Sequence, residues 1–589
     1  MVNSKKIVEE YLTKKDWEVK ENSNAPYSYG ALSKRMTTEV SKDYWLREVY
    51  PENITQAHRS GLLHIHDLGG LTLYCCGYSL QKVISMGVQG IPNIPTSAPA
   101  KHFDSILNQL ANLITIFQNE IMGAVAFSSF DTLLAPFVKK DELKYSEVKQ
   151  SLQNFIFSIN SNSRAGAEPA FSNITFDLKP ADDLIDEQAI IGTGLCDFTY
   201  RDCQREIDMI DKAFCELMIQ GDSNKRGFAY PIPTFSITKD FDWDNKKYDL
   251  LWEMAGKYGY PYFSNFVNSD MKPSDVRSMC CRLRLDLTEL RKRNGGLFGS
   301  GDSTGSIGVV TISLPKIAYE NKGNKENFYK SLDNALTLAK DSLEIKRNWL
   351  QKNVIDTRLI PAFCTYVGTI NNHFSTIGVI GMNEMCENFF GKDIDITTKQ
   401  GHDFAIDVGN HIRNKLLEFQ KETGHLFNYE ATPAESTCYR LALKNRKQYP
   451  DIICRGTKKA PYYTNSCHMA VSKQTSIKKV FDNQDDLQIQ FTGGTVIHIW
   501  LNGAISGSAA KQIVKTCCEN YRVPYISLSP LNRYCPEHGY IADDVDFCPI
   551  CGKPIEKYQR ITGYLRPVNN FNDGKKAEFD ERVQLKIDN

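Results

Sequence analysis

RITGYLRPVNNFNDGK occupies residues 560–575 and follows closely on the Cys/His-rich stretch CPEHGYIADDVDFCPICG at 535–552. In the upstream stretch Cys535, His538, Cys548 and Cys551 have the spacing C-x2-H…C-x2-C. Each pair puts two ligands on one tight turn. Four thiolate and imidazole donors of this kind close a tetrahedral zinc site with no position open for chemistry. Pro536, Gly539, Pro549 and Gly552 supply the turns. A closed zinc site holds something in place, and the segment it leads into contains a lone glycine, Gly563, between Thr562 and Tyr564. Taken alone, such a glycine is an ordinary turn residue.

Working outward, composition changes near residue 530, from a mixed apolar and polar pattern to one rich in Cys, Pro, Gly and His. This predicts residues 1–530 as the main domain and 531–589 as a zinc-binding tail. In the main part, residues 104–140, 144–160, 205–220 and 326–352 have helical apolar spacing. GVVTISLP (308–315) and GGTVIHIWL (493–501) read as short buried strands beside glycines. Long helices between short buried strands predict an α/β fold. The chain has 589 residues, 41% of them hydrophobic, enough for a large core. Its 70 basic and 70 acidic residues balance, which argues against nucleic acid as a partner. The polar N-terminus MVNSKKIVEEYLTKKDWEVK lacks signal-peptide character, and no apolar run is long enough to span a membrane. The expected location is the cytoplasm. There the 17 cysteines are expected to be reduced, with clusters reading as metal or redox sites and most others as buried core.

The zinc knuckle, R-I-T-G-Y-L and P-V-N-N-F-N-D-G-K together resemble the C-terminus of the anaerobic, class III ribonucleoside-triphosphate reductases. The resemblance extends over about residues 25–585 through LHIHDL (63–68), YCCGYSL (74–80), SMCCRLRLDL (278–287), TGSIGVVTISLP (304–315), HFSTIGVIGMNE (373–384), NYEATPAESTCYR (428–440), YYTNS (462–466) and FTGGTVIH (491–498). It implies a ten-stranded α/β barrel of the glycyl-radical and ribonucleotide-reductase type, with a central finger loop and the C-terminal zinc knuckle. It also implies that Gly563 stores a radical, made by a separate S-adenosylmethionine-dependent [4Fe–4S] activating enzyme. Glycine suits that role because a radical on Cα is shared with the flanking amide and carbonyl only if Cα becomes planar, and a side chain would crowd it.

By the same resemblance Cys281 is the thiyl cysteine that attacks the ribose, with its neighbour Cys280 the alternative. Cys75 is the second redox cysteine. Thr432, Ala434, Ser436 and Thr437, at the start of a helix-like YRLALK, form a triphosphate cradle, with Glu435 turned away. A homodimer and ATP or deoxynucleotide effectors are implied, with a family interface helix near 101–125 and Lys101, His102, Gln118 and Glu120 as weak candidates. His64, His66 and Asp67 are expected to be structural. The match begins near residue 25, which leaves no room for the ATP cone that many members carry. Formate-dependent members read M-G-C-R and then N-L-G-V-V. Here Met279-Cys280-Cys281-Arg282 precedes Ser306-Ile307-Gly308, with serine in place of asparagine. That departure opens the choice of reductant between formate and a thioredoxin- or glutaredoxin-type dithiol.

Two other readings compete. One is a different glycyl-radical enzyme, such as a formate acetyltransferase or a dehydratase, for which the NYEATPAES loop would have no purpose. The other is a non-catalytic zinc-ribbon protein, which the neutral charge disfavours.

Overall fold

The computed structural model describes residues 2–14, 27–161, 168–269, 273, 303–432, 434–561, 563 and 565–587. Ten strands form the centre: β1 Cys75–Gly77, β2 Val125–Phe127, β3 Ser172–Phe176, β4 Ile232–Ile237, β5 Tyr262–Asn265, β6 Gly305–Ser313, β7 Phe374–Ile380, β8 Phe427–Glu430, β9 Ile497–Leu501 and β10 Tyr525–Pro530. Their lateral order is β8-β7-β6-β1-β2-β3-β4-β5-β10-β9. Neighbours are parallel except at β6/β1 and β5/β10. Two five-stranded parallel halves, β1–β5 and β6–β10, therefore run in opposite directions. Between β8 and β9 the ring closes through backbone hydrogen bonds from Gly493 N to Tyr429 O and from Ala431 N to Gly494 O, each 2.7 Å. An extra strand, Leu63–Ile65, pairs with β6 on the outside of this order.

Parallel strands need long crossovers, and helices supply them: α1 Phe103–Gln118 after β1, α2 Lys325–Leu350 after β6 and α3 Glu435–Gln448 after β8 are examples. A sheet covered on both faces has near-continuous apolar strands, which is why all nine residues of β6 and all five of β9 are buried.

The strands at 308–315 and 493–501 and the helices at 205–220 and 326–352 appear near their expected bounds. The single helical span expected over 104–140 does not. Helix α1 ends at Gln118, β2 follows, and a second helix runs Phe130–Lys140. The run Ala124–Phe127 is wholly apolar, and a short apolar run carries no period that separates strand from helix. Gly123 also forces the break: its N–H donates to Tyr74 O, and a Cβ there would lie 2.9 Å from that oxygen.

After β10 a separate four-stranded antiparallel sheet begins: β11 Asn532–Cys535, β12 Gly539–Ile541, β13 Glu556–Arg560 and β14 Leu565–Pro567, in the order β12-β11-β13-β14. A final helix, α4 Asp573–Glu581, packs beside α3. Among the described residues no helix is long and apolar enough to cross a membrane.

Candidate active site

Gly563 lies at the tip of the β13–β14 hairpin, where Arg560 pairs with Leu565, and it is buried. Its carbonyl accepts a hydrogen bond from the Tyr262 hydroxyl at 2.6 Å and another from Arg560 Nη1 at 3.1 Å. Tyr262 opens β5, so the hairpin tip is tied directly to the barrel wall. Arg560 Nη1 also donates to the Tyr262 hydroxyl at 2.6 Å, and Nη2 reaches the carbonyls of Gly259 and Tyr260. The guanidinium stacks over the Tyr262 ring, 4.3 Å from its centre.

The rest of the tail is anchored through Arg582, just beyond α4. Arg582 donates to the carbonyls of Arg560 and Ile561 at 2.9 and 2.8 Å and lies over the Trp500 ring. Its charge is met by Glu578 at 2.7 Å, which also binds Lys575 at 2.6 Å. Burial pushes the Glu578 carboxyl up, but the two flanking cations more than offset this and hold it below the usual carboxylate range.

The four candidate metal ligands sit on or beside the same small sheet. Cys535 ends β11, and positive-φ glycines Gly539 and Gly552 follow the two ligand pairs. The ligand atoms of Cys535, His538, Cys548 and Cys551 all lie within 4.8 Å of one another. Cys535 Sγ is 3.5 Å from His538 Nδ1 and 3.6 Å from Cys551 Sγ, and Cys548 Sγ is 3.6 Å from His538 Nδ1. A tetrahedron with zinc–sulfur bonds of about 2.3 Å has sulfur–sulfur edges of about 3.8 Å and slightly shorter sulfur–nitrogen edges. The four residues fit zinc. Because β11 pairs with β13, the knuckle and the strand leading to Gly563 share one hydrogen-bonded sheet.

Inside the barrel, Cys75, Ala124, Ala126, Tyr262, Phe266, Phe374, Leu426, Val496 and Tyr525 form one buried cluster. Cys75 and the tyrosine that holds Gly563 thus face a common apolar interior. Cys75 is disulfide-bonded, and every other described cysteine is free. Cys280 and Cys281 lie outside the described residues. Across the antiparallel seam Cys75 is paired with Ser306. The Ser306 hydroxyl is within 2.8 Å of Thr376 Oγ1 and accepts from Gly308 N at 3.3 Å, so it is turned onto the wall.

The scattered motifs converge on the N-terminus of α3. Glu384 accepts from Thr464 N and Oγ1, Asn465 accepts from Ala434 N at 3.2 Å, and Tyr429 N donates to Thr492 Oγ1 at 3.0 Å. Glu435 is paired with Arg566 at 2.8 Å. Among the described residues no side chain caps α3. The hydroxyls of Thr432 and Thr437 are buried without a hydrogen-bond partner among the described residues. Ala434 is buried and Ser436 half-buried. Free N–H groups at a helix start beside unpaired hydroxyls are what a phosphate requires.

His64 and His66 stack edge to face, with His64 Nδ1 accepting from Arg440 of α3 and His66 Nε2 near Thr311 Oγ1. Burial and the Arg440 charge push the His66 imidazole down to about 3, so it is neutral at pH 7. The expected interface helix is shorter than 101–125, and three of its candidates are committed within the chain, His102 through its Nδ1, 2.9 Å from Asp141 Oδ1. The Glu120 carboxylate accepts from Ala362 N and Phe363 N, and Gln118 donates to Gly123 O.

The family model described as anaerobic ribonucleoside-triphosphate reductase matches residues 21–585. The chain belongs to that family. The Haemophilus influenzae anaerobic ribonucleoside-triphosphate reductase is 24% identical over 92% of this chain and 80% of its own length. The enzyme of that name from Enterobacteria phage T4 is 23% identical over 96% of both chains. The anaerobic ribonucleotide reductase of Thermotoga maritima, solved with dATP in its specificity site, superposes with a TM-score of 0.75 at 21% identity, covering 96% of this chain and 98% of that one. The reductase fold accounts for the ten-stranded order, and the other glycyl-radical reading is not favoured. Sequence reasoning missed Tyr262, Arg566 and Arg582. Tyr262 carries no local signal, because its partner lies 301 residues away.

Proposed function

We propose that this chain is an anaerobic reductase converting ribonucleoside triphosphates to 2′-deoxyribonucleoside triphosphates by radical chemistry. The observation that carries the reading is the buried Gly563, on a sheet shared with the zinc ligands and tied by Tyr262 to the barrel interior that holds Cys75.

In this reading Gly563 stores the radical, formed when its Cα hydrogen atom passes to an alkyl radical derived from S-adenosylmethionine on a separate [4Fe–4S] activating enzyme. A hydrogen atom then moves from the Cys281 thiol to Gly563, leaving a thiyl that abstracts the ribose 3′ hydrogen. Cys280 is the alternative carrier. Cys75 serves the opposite ribose face, donating hydrogen as the 2′ hydroxyl leaves as water. Cys75 and whichever of Cys280 and Cys281 does not carry the thiyl lose their two hydrogens and become one disulfide, which supplies the two electrons the ribose gains, and the 3′ hydrogen returns from the thiyl-bearing cysteine. Thr432, Ala434, Ser436 and Thr437 receive the triphosphate, with α3 directing its N-terminus at the negative charge. Zinc is structural.

Serine at 306, where formate-dependent members carry asparagine, with its hydroxyl committed to Thr376, favours a redoxin dithiol over formate as reductant. We further assign residues 1–530 to catalysis and 531–589 to radical storage, and expect a cytoplasmic homodimer responsive to ATP or deoxynucleotides.

The test is dCTP formation from CTP by the activated protein, with formate or with a thioredoxin or glutaredoxin system. The redoxin system is expected to sustain many turnovers and formate at most about one per chain. Formate-driven multiple turnover would reverse the reductant assignment, and no dCTP under either condition would contradict the function.

A further inference from the structure

Two donors converge on the carbonyl of Gly563, and anchoring the loop does not require both. Arg582 already holds the carbonyls of Arg560 and Ile561. The hydroxyl of Tyr262, a residue only 1% exposed, and the guanidinium of Arg560, 4% exposed, instead meet at the one carbonyl conjugated with the Gly563 Cα. Arg560 also donates to the same tyrosine hydroxyl. A hydroxyl that accepts from a cation is a stronger donor, and a buried site amplifies the effect.

We propose that Tyr262 and Arg560 stabilise the glycyl radical electronically, by hydrogen-bonding the carbonyl oxygen onto which its spin spreads. This rests on Gly563 being the radical carrier. When Cα loses its hydrogen atom it turns planar, and the unpaired electron is shared between the amide nitrogen, which pushes electron density, and the carbonyl, which accepts it. A donor on the oxygen lowers the energy of the form in which density has moved to oxygen. It therefore stabilises the radical more than the closed-shell glycine. The balance between Gly563 and a cysteine, in which one hydrogen atom moves from sulfur to Cα and the spin moves to sulfur, is set in part by these two residues. Tyr262 and Arg560 are thus tuning residues for radical storage, and they touch the spin-bearing group itself.

The test uses the full-length, zinc-loaded protein, activated without oxygen and studied by high-field electron paramagnetic resonance. A hydrogen bond to a spin-bearing carbonyl lowers the largest g component, so Tyr262→Phe should raise it and reduce radical yield about three- to tenfold, the effect of one hydrogen bond. Replacing Tyr262 by 3,5-difluorotyrosine preserves its shape and makes a stronger donor, so that g component should fall below wild type. Tyr260→Phe, which removes a hydroxyl from a small cavity that Tyr260, Arg560 and Gly563 line, should leave it unchanged. Opposite shifts for phenylalanine and difluorotyrosine cannot come from packing alone. If Tyr262→Phe does not fold, the difluorotyrosine protein decides by itself. A wild-type doublet with the same g values in both Tyr262 variants would overturn this role and leave the glycyl assignment standing. No doublet in the wild type would remove both.

Discussion

Cys75→Ser is expected to lower dCTP formation about a thousandfold or more, the scale for removing an essential reacting group, while the Gly563 radical still forms. Serine keeps nearly the same size at a site 1% exposed inside the barrel. It loses two properties the reaction needs. Its O–H bond is much stronger than S–H, so it yields no hydrogen to the ribose radical. It also forms no disulfide, so the two electrons have no source. Burying a hydroxyl in the Cys75 cluster costs about 1–3 kcal/mol, which melting will register, but that acts on stability and leaves the spectrum intact. Single-turnover dCTP measurement beside the radical signal separates the two effects. Turnover within tenfold of wild type would remove Cys75 from the chemistry.

The second large effect concerns the metal. Cys548→Ser is expected to reduce zinc from one per chain to a small fraction and to abolish the radical without unfolding the barrel. Structural zinc contributes roughly 10 kcal/mol or more to small sites of this kind. Here that energy is spent locally, because β11 and β12 meet at the knuckle and β13, with Gly563 beyond it, pairs with β11. Losing the ion frees the sheet that sets the hairpin, whereas the ten barrel strands have their own buried core. Metal analysis, limited proteolysis of residues 531–589 and the radical signal report on each part. A zinc-free variant with a normal radical would show that the knuckle does not position Gly563.

Much of this arrangement was legible from residues alone, and the reasons differ by element. The clustering of Cys535, His538, Cys548 and Cys551 was readable because four donors fall within 17 residues on two turns, so geometry follows from spacing. The strands Gly305–Ser313 and Ile497–Leu501 were readable because burial on both faces makes them predominantly apolar. That same property hid Val125–Phe127 inside an apparent long helix. Charge sets Glu435 apart from its neighbours, since a carboxylate does not bind a phosphate, but its partner Arg566 is 131 residues distant and could not be inferred. Tyr262 and Arg582 were invisible for the same reason. Their roles arise when the tail folds back onto the barrel, and no local pattern encodes a contact of that span. Gly563 itself gained its meaning from its neighbours: alone it is a turn glycine, and beside the knuckle it is the tip of an anchored hairpin.

The most direct test of the account is the electron paramagnetic resonance spectrum of the protein after anaerobic treatment with a radical S-adenosylmethionine activating enzyme, compared with Gly563→Ala. The account predicts a doublet in the wild type, split by the one hydrogen left on the Gly563 Cα, and no such signal in Gly563→Ala with zinc bound and the fold retained. A doublet that persists in Gly563→Ala, or a wild type that gives none with a matched activating enzyme, would contradict it.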